Sequence, residues 1–451
     1  MKRSKKLLAL LLVLAAFIGA TFLATKFNPE NEETEEATGT VIFSLDTEAV
    51  TGLSWDYSEP LSFTKEEDGW IYTDDAAFPL DSSYIDTMLS TLSLITSDKT
   101  IENPEDLDQY GLEIPICAIT VTAGEEYTLS IGEETSMGGQ RYFSTGDGNV
   151  YLVDSGILDS FRYGLYDVLA FEAIPSIDQP TGLTLSSAGQ SYEITYQEHS
   201  GLTYSDEYVW FLGDDALDTE LTASLLETVT DLAWVSCVDY NAADLAAYGL
   251  DDPAATVTVQ YNDNEGTAAS FSFQIGATSG SYSYARLPGS NMVYQIDASI
   301  TDTLLYTTSA ELQPDEVLLM DWDTVTSMDI TLDGTSYTIT RSTQTVTDDE
   351  GNESEETIYL LSGEEVEITS ITNALDAMAS TGYATGLTPE RSEEIRFTFH
   401  RDSEAFPEVE LVFYQYNSST CLTTLNGEAT VLADRTAVVD LVESVNALVL
   451  E

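Results

Sequence analysis

Positive charge is what this chain has least of. Lysine and arginine together number 15 against 79 aspartates and glutamates, a formal net charge of -64 over 451 residues. Affinity for nucleic acid depends on cations that displace counterions from phosphate, so nucleic-acid binding is excluded. Histidine is almost missing as well, with His199 and His400 the two present. A histidine-based metal centre needs partners at helix or hairpin spacing, and neither residue has them. His199 lies in a polar stretch that reads as a hairpin loop, and His400 ends an alternating strand beside Arg401. The three cysteines, Cys117, Cys237 and Cys421, give neither a disulfide framework nor a C-x-x-C site, and each reads as a small buried apolar residue. There is no G-x-S-x-G elbow, and Gly146-Asp147-Gly148 lacks the third glycine of a dinucleotide loop. These shortages lead us to expect a non-enzymatic protein with no catalytic residue, no cofactor and no metal centre.

What is present belongs to a globular protein. Apolar residues make up 43% and aromatic ones 10%, so the acidity is a solvated coat rather than a mark of disorder. Such a coat gathers cations loosely. With so many carboxylates, glycosidase-like acidic pairs arise by chance on any face. The acidic turns Asp147-Gly148-Asn149 and Asp263-Asn264-Glu265-Gly266 offer hard oxygen ligands, but they do not follow the calcium-loop pattern and read as hairpin turns.

A decapeptide is written twice. Residues 106–115 and 244–253 both follow D-L-x-x-Y-G-L-x-x-P, through Asp106, Leu107, Tyr110, Gly111, Leu112 and Pro115, and again through Asp244, Leu245, Tyr248, Gly249, Leu250 and Pro253. Recurrence at this distance means that a domain-sized unit was copied. Glycine admits a left-handed turn and proline fixes the chain after it, so the motif reads as structural, with Tyr and Leu plugging the turn into a core. A third copy is worn to Tyr383-Ala384-Thr385-Gly386-Leu387-Thr388-Pro389.

The order of elements recurs three times. Strand pairs end in Trp70-Ile71-Tyr72, Trp210-Phe211-Leu212 and Ile358-Tyr359-Leu360. A helical face follows each: Leu80, Tyr84, Ile85, Met88, Leu89 and Leu92; then Leu217, Leu221, Leu225, Leu226 and Val229; then Val366, Ile368, Ile371, Leu375 and Met378. Alternating strands come after the turn motif, and the first two repeats share the strand ends Ile131-Gly132 and Ile275-Gly276, where the third has Phe413-Tyr414. The last strand of each repeat delivers an aspartate, Asp154, Asp297 or Asp434, which reads as the N-cap of a second helix. Short hairpins with two helices per repeat point to an α+β fold of three tandem related units, each an antiparallel sheet with helices on a face. We place them at residues 41–172, 173–313 and 314–451, the last divergent and carrying an inserted acidic hairpin around Gly351-Asn352. Tyr282, Tyr284 and Tyr294, or Tyr192, Tyr196, Tyr204 and Tyr208, suggest a tyrosine-lined binding face, the competing reading being cross-strand pairs.

Ahead of the repeats, residues 1–25 hold Lys2, Arg3, Lys5 and Lys6 and then an uncharged run from Leu7 to Thr25. At about 1.5 Å per residue this run spans roughly 28 Å, enough for a single transmembrane helix with its N-terminus inside and the body extracytoplasmic. A cleaved signal peptide, cut near Ile18-Gly19-Ala20, is the alternative. Residues 26–40, with Glu30, Glu32, Glu33, Glu35 and Glu36, read as a self-repelling acidic linker.

The decapeptides, the Ile-Gly strand ends and the strands at Val150-Tyr151 and Val293-Tyr294 resemble a bacterial family, the domain-of-unknown-function family 4340. The resemblance covers the first two repeats well and the third weakly. It implies a membrane-anchored extracytoplasmic protein with ABC-transporter subunits as partners, and it brings no catalytic residues. The expectation is therefore a non-enzymatic scaffold or accessory subunit of an ABC-type transport or envelope system. The alternative is a cell-surface binding module for glycan, peptide or calcium.

Overall fold

The computed structural model describes residues 39–347 and 353–450. The expected anchor over residues 1–25, most of the linker after it and the tip of the inserted hairpin lie outside the described residues. Among the described residues no helix is long and apolar enough to cross a membrane.

Four sheets with antiparallel pairing and few helices make up the molecule. Three of the sheets are large and share one strand order. In the second, a meander runs outward from Gln179–Ser187 through Ser191–Tyr196 and Trp210–Leu212 to an edge strand, Asp215–Leu217. Helix Thr219–Thr230 follows, and Ser236–Asp239 pairs at the opposite edge with Val293–Asp297. The chain then returns to the middle, where Ala255–Asn262 pairs with Gln179–Ser187, and a second meander proceeds through Ala268–Ser279 and Tyr282–Arg286 to Val293–Asp297. The first sheet follows this path from its central pair Gly52–Asp56 and Cys117–Ala123 but ends at Gly69–Tyr72 without a counterpart of Asp215–Leu217, and the third follows it in full from Val325–Leu332 and Glu393–Arg401. A further two-stranded sheet joins Thr40–Ser44 to Leu94–Ser97.

Period-two alternation explains these strands. Along Ala255–Asn262 every second residue is buried, among them Val257 and Val259, while Thr256 and Thr258 lie between them half-exposed. The five described α-helices, α1 (Ser82–Ser93), α2 (Thr219–Thr230), α3 (Ala298–Tyr306), α4 (Thr369–Asp376) and α5 (Arg435–Leu450), supply the other wall of each core. Leu225, Leu226 and Val229 of α2 and Leu304 of α3 join Val257, Val259 and Phe273 in the second core. Ile371 and Leu375 of α4 with Val438, Leu441 and Val445 of α5 meet Phe397, Phe399 and Phe413 in the third. Fully burying each such side chain contributes about 1.5–3 kcal/mol.

Some details differ from the sequence reading. Asp154 opens a 3₁₀ helix, Ser155–Ser160, and Leu165–Val168 is another, so the first repeat has no second α-helix. Gly156 and Gly164 interrupt that segment, and glycine costs a helix interior about 1 kcal/mol against alanine. Leu217 and Val366 end strands rather than join the helical faces expected of them, and Leu221 is 49% exposed. The chain divides into two compact units, Met1–Glu172 and Ala173–Glu451, the second holding two of the large sheets.

Candidate functional site

The repeated motif builds the same turn twice. The amide of Asp108 donates to Asp106 Oδ1 at 3.0 Å, and that of Ala246 to Asp244 Oδ1 at 3.1 Å, each starting a 3₁₀ turn. The turns close with Gly111 and Gly249 left-handed, at φ +64 and +67. The amides of Leu112 and Leu250 then donate to the carbonyls of Leu107 and Leu245 at 3.1 and 2.9 Å. Leu112 and Leu250 are buried, while Tyr110 and Tyr248 are half-buried and set edge-on against Tyr142 and Tyr284. Pro115 and Pro253 are half-buried beyond the turn.

The two motifs of the sequence, the turn and the Ile-Gly strand end, meet each other. A methyl group on Gly132 would lie 2.3 Å from the Tyr110 carbonyl oxygen and 3.1 Å from Leu112, and one on Gly276 would lie 2.3 Å from that of Tyr248 and 2.8 Å from Leu250. Glycine is needed there for close approach of backbone to backbone.

The third repeat lacks this lock. Gly386 is again left-handed, at φ +81, but nothing lies within 4 Å of where its Cβ would be, and Leu387 is exposed. Tyr383 is 51% exposed, and its hydroxyl donates to the carbonyl of Ala310 at 3.2 Å.

Within the second unit, the loop after strand Ser191–Tyr196 ties the second sheet to the third. Its Tyr204 ring packs edge-on against Phe406 with centroids 4.8 Å apart. The Ser205 hydroxyl and the Asp206 amide donate to the two carboxylate oxygens of Asp321 at 2.8 and 2.9 Å. Arg401, only 8% exposed, donates from Nη2 to the Tyr204 carbonyl and from Nε to Thr324 Oγ1, both at 2.8 Å. Burial lowers its pKa, against the pull of Asp321.

Beside this joint is a cavity of about 880 Å³, lined by residues of α2, the segment Ala310–Leu319, and Tyr383. Asp218, Asp315 and Glu316 each offer a carboxylate oxygen within 4.8 Å of the others, and these are the residues that could hold a hard cation. Asp218 is already engaged as the N-cap of α2, accepting from the Leu221 amide at 2.7 Å. The Tyr208 hydroxyl donates to Glu316 at 3.0 Å, and burial followed by Glu316 pushes its pKa well up, so it stays a neutral donor.

The other residues singled out lie elsewhere. Asp297 and Asp434 cap α3 and α5 by accepting from the amides of Ser299 and Thr436, and Asp154 accepts from that of Gly156. His199 is exposed in its loop and bonds Asp206 at 2.7 Å, which raises its pKa. His400 is half-buried rather than simply exposed, 3.0 Å from Asp329 and 3.4 Å from Glu408. The expected tyrosine face is not formed: Tyr294 and Tyr192 are buried, and Tyr204 and Tyr208 belong to the joint. All three cysteines are buried and in no disulfide.

Arg401 and the three carboxylates were missed by the sequence reading. The alternation Ile395, Phe397, Phe399, Arg401 does place the arginine on a buried face, a signal that could have found it. The model of a family described as "Domain of unknown function (DUF4340)" matches residues 70–169 and 214–398. No curated protein and no solved structure matches the chain.

Proposed function

Because the chain belongs to the family described as a domain of unknown function (DUF4340), we propose a role of assembly rather than chemistry: a non-enzymatic scaffold or accessory subunit. Residues 7–25 anchor it as a single transmembrane helix, and the repeats stand outside the membrane beside subunits of an ABC-type transport or envelope system. The observation that supports this best is what recurs. Gly111 and Gly249, Leu112 and Leu250, and Gly132 and Gly276 all serve the fold. A chain copied for its chemistry would be expected to repeat a reacting group; this one repeats a frame.

The test is co-purification of the full chain from its own host, compared with a version lacking residues 1–40. Transport subunits recovered with the full chain alone support the reading and place the contact at the anchor. Recovery of none by either form counts against it. The second reading, a surface binding module, is favoured by the acidic cavity, and retention of both forms on cell-wall material would support it.

A further inference from the structure

The cavity continues past its acidic centre. A second hollow of about 400 Å³ shares Leu221 and Glu311 with it and runs between α2 and α3 to Tyr306. Carboxylates line the joined groove at Glu207, Asp218, Glu220, Asp302, Glu311, Asp315 and Glu316, and no lysine or arginine lines it among the described residues. The groove is not only acidic. Leu221, Tyr306 and Tyr383 stand along it at 49%, 73% and 51% exposure, although each has an apolar body. Leu221 and Tyr306 come from neighbouring helices, and Tyr383 reaches the groove because the third repeat's turn leaves it exposed.

We propose that this groove docks a cationic segment of a partner protein, one in which lysine or arginine side chains alternate with apolar ones. A diffuse acidic coat attracts any cation, but a concave surface with large apolar side chains set among carboxylates complements one in both charge and shape. Ammonium or guanidinium groups relieve the mutual repulsion of Asp218, Asp315 and Glu316, while the apolar side chains cover Leu221 and Tyr306. The groove lies wholly on the second unit and does not depend on anchoring, so its failure and that of the scaffold reading are separable.

The test uses the full chain and labelled synthetic peptides of alternating lysine and leucine, or of lysine and serine at equal charge, read by fluorescence anisotropy at 150 mM salt. The expected result is that the lysine-leucine peptide binds at least tenfold tighter. The same affinity should fall about tenfold in Glu220→Gln/Glu311→Gln and in Leu221→Ser/Tyr306→Ser. It should hold in Glu125→Gln/Glu126→Gln, which removes equal charge from the first unit. Circular dichroism checks that each variant folds, with Glu220→Gln/Asp302→Asn in reserve should loss of the hydrogen bonds that Glu311 accepts from the Thr308 amide and hydroxyl disturb the segment Ala310–Leu319. Equal binding of both peptides, or equal loss in the first-unit control, overturns the proposal in favour of a general acidic field. Displacement of the peptide by calcium chloride alone, abolished by Asp315→Asn, overturns it in favour of a cation site.

Discussion

In the second repeat, the turn around Gly249 presses its Tyr248 carbonyl against Gly276, and Tyr248 stays half-buried against Tyr284. In the third repeat a methyl group on Gly386 would meet no atom within 4 Å, where one on Gly249 would lie 2.8 Å from the Ala277 amide, and Tyr383 turns outward to the carbonyl of Ala310. The strand order of the two sheets is nevertheless the same. A repeat can therefore lose the contact that its sequence motif encodes and keep its fold, provided that other packing compensates. The third core is filled by Phe397, Phe399 and Phe413 together with apolar residues of α4 and α5. The residue set free is at the surface where the copies differ.

The largest test of this contrast is Gly276→Ala, which forces a methyl group against the Tyr248 carbonyl; it should cost about 3 kcal/mol in denaturant unfolding. Gly132→Ala should do the same in the first unit. Next comes the joint. Arg401→Met keeps the volume but removes two charged hydrogen bonds, and it should cost about 2 kcal/mol and expose the loop around Gly201 to limited proteolysis. If it costs nothing, the second and third sheets are held by packing alone.

Gly386→Ala meets no neighbour, so it should cost only the left-handed strain, about 1 kcal/mol. A cost equal to that of Gly276→Ala would erase the comparison. The smallest effect concerns what the repeats share. Hydrogen bonds from Ser299 and from Thr436 hold the Asp297 and Asp434 carboxyls below the usual range. With folded pKa values depressed, their stabilisation is present above the ordinary aspartate pKa, about 3.9, and is lost as pH falls through the folded values. The gap in melting temperature between the parent and Asp434→Ala should therefore shrink on acidification below about pH 4, and likewise for Asp297→Ala.

The strands and helices were legible because burial follows a period, as along Ala255–Asn262 or through Ile85, Met88, Leu89 and Leu92. The turn motif was legible because it recurs. Its contact with Gly276 was not, since nothing local in Ile275-Gly276 says which backbone lies over it. The groove was hidden for a similar reason. Leu221 fits a helical period as well as Leu225 does, and only the neighbouring elements decide that the former faces solvent. Asp315 and Glu316 looked like two more carboxylates in an acidic chain until the segment Ala310–Leu319 brought them beside Asp218.

The shared strand order also governs the tempo of folding. Apart from the edge strand that closes the second half, each half of a sheet is a run of neighbouring hairpins that can zip early, but the halves meet along a central seam, Leu53 against Val121, Leu183 against Val259, Ile330 against Phe397. That seam closes a long loop, whose entropic cost comes before its contacts repay it. Each sheet should therefore mature on the slow clock of non-local β-structure, about milliseconds to seconds. Until its seam closes, two half-sheets with open inner edges coexist, and tandem copies of one pattern give those edges a wrong partner close at hand.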